Sequence, residues 1–322
     1  MKALVTGATG FVGSHLVDAL LRDGVEVTAL ARSRSKAEEL ERRGVRVRMG
    51  DLHDEAALTA AAQDQDQLFH VAGVVAARSE QEFFHHNRDG TANSLRAAER
   101  GGVSRFVLVS TLAAAGPAAP GAPLSGKEEP RPVTAYGRSK LAAERLVQAG
   151  RCAWTIVRPP IVYGPRDREV LKIFRIARLG IAPVFGDGTQ ELSAVHASDL
   201  AGALVLASRA PGSAGRTYYG CHPEIFTSSE LVHAVGAAMG RSVSTITIPR
   251  RLGLVALAGT EAFARLAGRP TILTTDKARE FFQPAWTGDP SPLIQDTGWR
   301  PAFDLGSGLT QTYRWYREAG WL

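Results

Sequence analysis

The chain has 322 residues, 44% of them hydrophobic and 22% charged, which is ordinary for a soluble globular protein and enough for one two-lobed unit or two domains. The net charge of +6 suits an anionic ligand, but no basic stripe with interleaved aromatic residues is present, so nucleic-acid binding is not expected. Two cysteines make no disulfide framework and no apolar run reaches the roughly 18 residues of a spanning helix, so we expect a cytoplasmic protein without stable membrane insertion.

The first predicted element is a strand that leads directly into a glycine-rich turn and a helix. The apolar run at residues 2–6 begins too early to leave room for a signal peptide, and residues 14–21 have apolar side chains at helical spacing. Gly7, Gly10 and Gly13 lie between them. This order is typical of a dinucleotide-binding unit, in which glycines allow a tight turn, close approach of the backbone to a pyrophosphate and close helix–strand packing. The helix N-terminus then offers unpaired N–H groups to the phosphates.

The rest of the first half alternates between strands and helices. Apolar runs predict strands near residues 26–30, 45–49, 67–71, 105–109 and 154–158. Apolar periodicity predicts helices near residues 35–43, 54–62, 82–100 and 135–149. Continuous apolar strands joined by helices imply a parallel sheet covered on both faces, with ligands beyond the carboxyl ends of its strands. The Ala-, Gly- and Pro-rich residues 112–134 predict a loop at that edge, and we favour a lid over the substrate above a plain connection.

Regular alternation stops after residue 165. Helical patterns recur near residues 169–179, 197–208, 229–239, 250–267 and 308–319, separated by Gly- and Pro-rich stretches. We therefore predict an α/β protein: a Rossmann-type doubly wound parallel sheet in residues 1–165 binds the cofactor, and residues 166–322 form a smaller, mostly helical substrate lobe. The largely apolar segment 250–269 is expected to close the substrate pocket or to pack within the lobe, with a membrane-surface helix as the alternative.

Two motifs give this chain a family resemblance. The glycines of residues 7–13 follow the spacing G-x-x-G-x-x-G, and Tyr136 and Lys140 enclose the run Gly-Arg-Ser. Together they resemble the extended branch of the short-chain dehydrogenase/reductase superfamily, which includes NAD-dependent epimerases and dehydratases, 3β-hydroxysteroid dehydrogenases and dihydroflavonol reductases. The resemblance covers nearly the whole chain. It implies a nicotinamide cofactor and segments near residues 190–220 that return to the first domain.

The loop after the second strand favours NADP(H) over NAD. An NAD site usually has an Asp or Glu there, which binds the ribose 2′-OH. Where NAD-dependent members of the resembled family carry that Asp, this chain has Ala31. Arg32 is the predicted ligand of the 2′-phosphate, supported by Arg34 or Ser33, because guanidinium groups form charge-assisted hydrogen bonds to phosphate. A solvated basic loop is the alternative, but it does not explain the missing acid.

Further cofactor contacts are implied by the resemblance. Asp51, with Leu52, matches an acid that binds the adenine amino group, the alternative being a helix-capping Asp. Residues 71–73 would lie along the adenosine ribose, Asn87 would brace the strand ends, and residues 158–165 would pack against nicotinamide. The predicted cofactor-binding residues are Gly7, Thr9, Gly10, Phe11, Val12, Arg32, Arg34, Asp51, Leu52, Val71, Ala72, Gly73, Tyr136, Lys140, Pro159 and Val162.

The predicted catalytic set is Thr111, Tyr136 and Lys140. Tyr136 and Lys140 are four residues apart on a predicted helix and share a face. Carbonyl reduction needs a proton, which a tyrosine hydroxyl supplies if its pKa is lowered, as a nearby ammonium does. The resemblance implies that Lys140 also binds the nicotinamide ribose and that Thr111, at the end of the fifth strand, hydrogen-bonds the substrate carbonyl. Its neighbour Ser110 would be structural.

Other polar candidates are assigned no catalytic role. His196 matches a Val-His-x-x-Asp motif that is mainly structural in the resembled family. The remaining histidines, including the adjacent His85 and His86, lack metal-ligand spacing with partners, so no metal is predicted. Nucleotide-sugar members usually carry an Arg four residues before the motif histidine, where this chain has Leu192. An apolar residue cannot neutralise a diphosphate.

These features favour an NADPH-dependent carbonyl reductase or alcohol dehydrogenase, with Tyr136 as general acid/base and a ketone or secondary alcohol of modest polarity as substrate. A nucleotide-sugar epimerase or dehydratase is the alternative. A non-catalytic NADP-binding regulator is a third possibility, which the catalytic set argues against because a sensor needs no proton donor. The resemblance also implies a homodimer through the helices near residues 82–100 and 135–149, with Phe83, Phe84 and Leu141 at the contact or in the core.

Overall fold

The computed structural model describes residues 1–268 and 270–322. Arg269, the last residue of the predicted apolar segment, lies outside them. The strands are β1 (Lys2–Thr6), β2 (Glu26–Ala31), β3 (Arg46–Met49), β4 (Gln67–His70), β5 (Arg105–Val109), β6 (Ala153–Arg158), β7 (Ile161–Tyr163), β8 (Ile181–Phe185), β9 (Glu191–His196), β10 (Arg216–Tyr219), β11 (Ile225–Thr227), β12 (Ser244–Ile248) and β13 (Ala285–Trp286).

Helices connect and cover these strands. They are α1 (Phe11–Arg22), α2 (Arg34–Arg42), α3 (Glu55–Ala62), α4 (Glu80–Phe83), α5 (Gly90–Arg100), α6 (Leu112–Ala115), α7 (Ala135–Gln148), α8 (Val170–Ala177), α9 (Ala197–Arg209), α10 (Ser228–Ala238), α11 (Arg250–Leu266), α12 (Ala278–Phe281), α13 (Ser291–Thr297) and α14 (Leu305–Glu318), with a π-helical turn at Phe84–Asp89 and a 3₁₀ turn at Pro211–Ser213. None of the helices described is both long and apolar enough to cross a membrane.

A seven-stranded parallel sheet forms the centre of the molecule. Its order is β10-β6-β5-β4-β1-β2-β3, and every neighbouring pair is parallel. The predicted Rossmann-type fold is therefore confirmed. The chain winds outward from β1 to β3 and then returns to β4 on the other side of β1, which makes the carboxyl ends of β1 and β4 the switch point where ligands bind in such sheets.

The helix predicted at residues 82–100 is instead divided into three pieces. α4 passes into the π-helical turn Phe84–Asp89, and α5 follows. The buried Asn87 lies in that turn and hydrogen-bonds the backbone of Val74, with its Oδ1 accepting at 2.9 Å and its Nδ2 donating at 3.1 Å. A local π turn re-aims side chains within a helix, and here it directs an amide inward.

The second half contains the predicted helices together with small sheets that were not predicted. β9 pairs with β7, β11 and β13, and β8 pairs with β12. A second apolar core, which includes Phe174, Leu309 and Tyr316, lies among these elements. Residues 197–219 lie with the first half, since Leu200 and Leu204 of α9 belong to the same core as Leu16 and β10 joins the large sheet.

The predicted lid at residues 112–134 is hydrogen-bonded to residues 285–287. After the short helix α6, the backbone N–H of Ala118 donates to the carbonyl of Ala285 at 3.0 Å, and that of Leu124 to Thr287 at 3.1 Å. These bonds connect the loop to β13 and the residue after it.

A buried ion pair connects α7 to the sheet. The Arg158 guanidinium on β6 donates to both carboxylate oxygens of Glu144, at 2.6 and 2.9 Å, and the two side chains are 6% and 0% exposed. The Ser110 hydroxyl after β5 also donates to Glu144. Three elements therefore meet at one carboxylate, and Ser110 has the structural environment predicted for it.

Replacing Glu144 with Ala is expected to lower the free energy of unfolding by about 3–5 kcal/mol, because it leaves the Arg158 guanidinium buried without its partner. Equilibrium unfolding in urea measures this loss. As a matched control, Lys172→Ala breaks an exposed pair with Glu169 and should cost less than about 1 kcal/mol. The double variant Glu144→Met/Arg158→Met should recover much of the loss, and a double variant less stable than Glu144→Ala would contradict this explanation.

Candidate active site

The glycine-rich turn brings the ends of β1 and β4 into close contact. Gly7 has a φ of +74°, and a Cβ atom there would lie 2.6 Å from the backbone nitrogen of Ala72. A Cβ at Gly13 would lie 2.0 Å from the carbonyl oxygen of Gly7. Gly10 is the N-cap residue of α1, and the half-buried Thr9, Phe11 and Val12 surround it. The backbone is thus exposed where a pyrophosphate would meet the N-terminus of a helix.

Basic residues follow β2 at the same edge. Ala31 is buried and Arg32 is exposed. Arg34 begins α2, where it forms ion pairs at 3.3 Å with Glu38 and Glu41 while its side chain stays 63% exposed. Such exposed pairs contribute little free energy, so they compete weakly with a phosphate for the guanidinium.

Asp51 occupies a turn rather than a helix cap. Its Oδ1 accepts from the backbone N–H groups of His53 at 2.7 Å and Asp54 at 3.2 Å. Asp54 caps α3 by accepting from Ala57 at 2.9 Å. Leu52 packs against α5, where a Cβ at Gly90 would lie 2.8 Å from its Cδ1.

The predicted catalytic hydroxyls come together at the end of β5. Thr111 caps α6, with its Oγ1 accepting from the N–H of Ala113 at 3.2 Å, and Tyr136 lies in the first turn of α7. Burial raises the pKa of Tyr136 to about 12; a hydrogen bond with the Thr111 side chain opposes this rise, and the carboxylate of Glu280 adds to it. At neutral pH the phenol is therefore protonated.

The Lys140 ammonium is hydrogen-bonded to the backbone at the end of β5. It is buried and donates to the carbonyl oxygen of Val109 at 2.9 Å. Burial lowers the pKa of Lys140 to about 8, against the attraction of Glu144. Lys140 is not among the groups that shift the pKa of Tyr136, so the expectation that its ammonium lowers that pKa stays a prediction.

Gly73 lies beside Lys140 and Asn87. A Cβ at Gly73 would lie 3.1 Å from Asn87 Oδ1 and 3.8 Å from Lys140 Nζ. The Asn87 amide also donates to Ser139 Oγ on α7 at 3.0 Å. Asn87 thus bridges the residues that follow β4 and the helix that carries Lys140, as the predicted bracing role requires.

The remaining predicted cofactor contacts line neighbouring strand ends. Val71 and Ala72 are half-buried directly after β4, and the backbone N–H of Val71 donates to Thr6 at 3.2 Å. Pro159 is buried after β6, where its carbonyl accepts from the N–H of Leu112 at 2.8 Å. Val162 is half-buried within β7. Val71, Ala72 and Pro159 therefore directly follow strands of the central sheet, whereas Val162 lies in β7, which pairs with β9.

A segment that the sequence analysis missed covers Tyr136. We call residues 271–280 the cover segment. Asp276 accepts from the backbone N–H of Ala135 at 2.8 Å, Glu280 accepts from the Thr134 hydroxyl at 2.6 Å, and the Lys277 ammonium lies 5.7 Å from the Tyr136 ring centroid. No sequence motif marks these side chains, because their partners are about 140 positions away.

A small cavity separates the cover segment from Tyr136. Its volume is about 30 Å³, and it is lined by Val75, Ala77, Phe83, Thr134, Tyr136, Thr271, Ile272, Thr274, Asp276 and Lys277. A single water needs roughly 10–15 Å³ of such space, so the cavity holds only a few waters. An organic molecule of several heavy atoms does not fit in this volume.

The histidines outside the catalytic set have two kinds of surroundings. His196 is buried, caps α9 and has a pKa lowered by burial to about 4, which agrees with a structural role. His53, His85 and His86, in contrast, bring one ring nitrogen each within 4.8 Å of one another, although the sequence suggested no partner for the adjacent pair. The rings of His53 and His85 are stacked 3.9 Å apart and parallel to within 4°.

Leu192 is a core residue of β9. It is 7% exposed and belongs to the same apolar core as Phe226. An uncharged side chain in this position offers nothing to a diphosphate.

Comparisons with known proteins agree with this geometry. A sequence model of the NAD dependent epimerase/dehydratase family matches residues 3–219. Ceramide reductase from Caulobacter vibrioides is 34% identical over 99% of this chain and 95% of its own, and 2-alkyl-3-oxoalkanoate reductase from Stenotrophomonas maltophilia is 31% identical over 96% and 97%. The solved UDP-glucose 4-epimerase from Thermus thermophilus, a complex with NAD, has a TM-score of 0.80 at 26% identity, covering 99% of this chain and 100% of that one.

His70 lies beneath the site and makes it sensitive to acid. The buried ring ends β4, with Nδ1 2.8 Å from Thr6 Oγ1 and Nε2 3.0 Å from Thr91 Oγ1. Burial lowers the pKa of His70 to about 3, and the charge of Lys140 lowers it further. Below pH 6.5, the ordinary pKa of histidine, His70 therefore binds a proton in the unfolded chain but stays neutral in the folded protein.

From this shift we expect His70 to cost stability as the pH falls from about 6.5 toward 3, by about 1.4 kcal/mol per pH unit, and to have no such effect above that range. The variant His70→Gln removes the titrating group. Urea unfolding of both proteins at pH 8 and pH 5 measures the difference, and wild type should lose more stability than the variant on acidification. An equal loss in both proteins would contradict the assignment.

Proposed function

The chain belongs to the NAD-dependent epimerase/dehydratase family of NAD(P)-dependent oxidoreductases, and within that family we propose that it is an NADPH-dependent carbonyl reductase. The proposed reaction interconverts a ketone and its secondary alcohol. The observation that carries the proposal is the arrangement of Thr111 at the end of β5, Tyr136 in the first turn of α7 and the buried Lys140 ammonium on the same helix, at the edge of the sheet where ligands bind. Two relatives that are named reductases, and that match this chain over nearly their whole length, support the proposal.

The residues at the sheet edge fit a nicotinamide dinucleotide. A side chain at Gly7 or Gly13 would collide with the backbone, so the turn needs glycine at both positions. Without side chains there, the backbone at the start of α1 is open to a pyrophosphate. The buried Ala31 and exposed Arg32 suit a 2′-phosphate better than a 2′-hydroxyl. We therefore propose NADP(H), which when bound supplies the hydride. The other residues proposed to contact the cofactor are Thr9, Phe11, Val12, Arg34, Asp51, Leu52, Val71, Ala72, Gly73, Lys140, Pro159 and Val162.

Tyr136 is the proposed proton donor, and its raised pKa keeps the phenol protonated at neutral pH but makes it a weaker acid than an ordinary tyrosine. A phenol that stays protonated throughout the physiological range can give its proton to the oxygen of the carbonyl as negative charge develops there. Thr111 would donate a hydrogen bond to the same oxygen and hold it in place. Lys140, with a pKa lowered to about 8, is charged at a pH below that value, and the charged ammonium can bind ribose hydroxyls.

The proposed substrate is a ketone on an apolar chain. Leu192 cannot bind a diphosphate, and relatives named for a ceramide and for a 2-alkyl-3-oxoalkanoate point to such compounds. We assign substrate binding mainly to residues 166–322, with residues near 190–220 joining the cofactor domain.

We also propose a homodimer in the cytoplasm. Leu141 is buried and Phe83 lines the small cavity, which leaves Phe84, stacked under Arg88 at 5.3 Å, for a dimer contact.

Arg32→Ala tests the choice of cofactor. We expect it to weaken NADPH binding by about 1.5–3 kcal/mol, the scale of a charge-assisted hydrogen bond, and to leave NADH binding nearly unchanged. Fluorescence titration with both nucleotides measures the effect. Arg42→Ala, at the other end of α2, is the matched control and should affect neither. Equal weakening of both nucleotides by Arg32→Ala would rule out the 2′-phosphate contact.

Tyr136→Phe tests the proton donor. The fold and NADPH binding should persist, while turnover falls by about 10² or more, because the variant keeps the ring and loses only the hydroxyl. Thr111→Ser should retain much of the activity and Thr111→Ala should lose it. Turnover is followed by NADPH absorbance, and a Tyr136→Phe variant with wild-type turnover would eliminate Tyr136 as the acid.

A panel of alkyl ketones, steroids and nucleotide sugars tests the reaction itself. The proposal requires one NADPH oxidised per molecule of alcohol formed. An epimerase returns the hydride to its substrate and gives no net change in absorbance. Robust redox-neutral epimerisation of a nucleotide sugar, with no ketone reduced, would overturn the reductase proposal and leave the family assignment in place.

A further inference from the structure

Helix α11 exposes a continuous apolar stripe. Leu252, Val255, Phe263 and Leu266 are 65%, 72%, 74% and 88% exposed. At about 100° per residue they fall, together with the exposed Ala256, Gly259 and Ala262, within an arc of about 120° that contains no polar side chain. Monomeric proteins seldom leave large contiguous apolar patches exposed without a function for them.

The stripe faces away from the body of the protein. Gly253 and Leu257 are the buried residues of α11, and a Cβ at Gly253 would lie 2.7 Å from the Phe282 ring. This packed side of the helix is roughly opposite the stripe. The apolar stripe is therefore not part of a core within the described residues 1–268 and 270–322. Of the two apolar sides of α11, only the one with Gly253 and Leu257 packs against the rest of the described protein.

The charges around the stripe are basic. Arg250, Arg251 and Arg265 are exposed on α11, with Arg251 and Arg265 along one edge of the stripe. The single carboxylate of the helix, Glu261, accepts from the backbone N–H and the hydroxyl of Thr275 at 2.9 and 2.8 Å and pairs with Arg265 at 3.0 Å. An apolar stripe bordered by arginines complements a bilayer with anionic headgroups, because arginine stems cover apolar surface while their charged ends remain in water.

α11 is also bonded to the cover segment. The Thr260 hydroxyl donates to the carbonyl of Leu273 at 2.9 Å, and the Glu261 contacts with Thr275 hold the next turn of the segment. That segment contacts α7 through Asp276 and closes the cavity beside Tyr136. A shift of α11 at a surface would therefore be transmitted to the residues that line this cavity.

We propose that α11 docks on a bilayer containing anionic lipids, with its apolar stripe at the boundary between headgroups and acyl chains. The ketone enters from that bilayer past the cover segment. The docking is independent of the reaction, whereas the route of entry rests on the proposed reductase function.

Flotation of the full chain with vesicles tests the docking. Wild type is expected to float with vesicles of phosphatidylcholine and phosphatidylglycerol, less with phosphatidylcholine alone, and less again at high salt. Val255→Ser/Phe263→Ser should lower the vesicle-bound fraction about tenfold or more by removing two apolar anchors. Arg251→Glu should weaken binding to the anionic vesicles only.

Leu179→Ser is the matched control, since Leu179 is 76% exposed and lies outside α11; its flotation should equal that of wild type. The proposal is overturned if wild type stays unbound, if the double serine variant floats as wild type does, or if that variant instead turns a dimer into a monomer in sedimentation, which would show that a second copy covers the stripe. Unchanged urea unfolding shows that the substituted positions are not structural.

Kinetics with two substrates separate the two proposals. The double serine variant should reduce a short water-soluble ketone at the wild-type rate but reduce a long-chain ketone in anionic vesicles several-fold more slowly. If no ketone is reduced by any variant, the reductase proposal fails while the flotation result still decides the docking. Equal rates on the vesicle-bound ketone would overturn the proposed route of entry.

Discussion

The bidentate pair between Arg158 and Glu144 is the interaction on which the site depends. Two charges removed from water are stable only when each satisfies the other and the remaining lone pairs find donors. Here the Ser110 hydroxyl supplies the additional donor. Because Glu144 lies one helical turn beyond Lys140, the pair fixes the rotation of α7 about its axis. The direction of the Lys140 ammonium and the position of Tyr136 follow from that rotation.

Burial shifts the pKa values of four interior groups that lie outside this ion pair toward their uncharged forms. It keeps the phenol of Tyr136 and the imidazoles of His70 and His196 neutral at physiological pH, and it brings the pKa of Lys140 down to about 8. Each group is shifted toward its uncharged form, as a low-dielectric environment requires. These pKa shifts could not be predicted from the sequence. The spacing of Tyr136 and Lys140 indicates that the two side chains share a helix face, but not how much water surrounds them.

The central sheet was predictable because its strands are continuous apolar runs with helices between them, and the glycine spacing located the turn between β1 and α1. The strands of the second half were not, because β7 and β13 have only three and two residues and find their partners far along the chain. Thr111, Tyr136 and Lys140 were recognisable from motifs. The partners of Thr134 were not, because Glu280 carries no signal of its own and lies 146 positions away. The π turn around Asn87 likewise depends on a bond to Val74 that no local pattern encodes.

The attachment of residues 118–124 to β13 has a consequence for the order of assembly during synthesis. A chain that emerges from the ribosome N-terminus first exposes the glycine turn and six strands of the sheet early, whereas Ala285 and Thr287, which hold the loop, emerge near the end. Long-range contacts of this kind slow folding and leave intermediates with unpaired edges. A nascent chain can therefore form most of the large sheet well before the residues that hold this loop have emerged, so the loop is among the last parts of the molecule to become fixed.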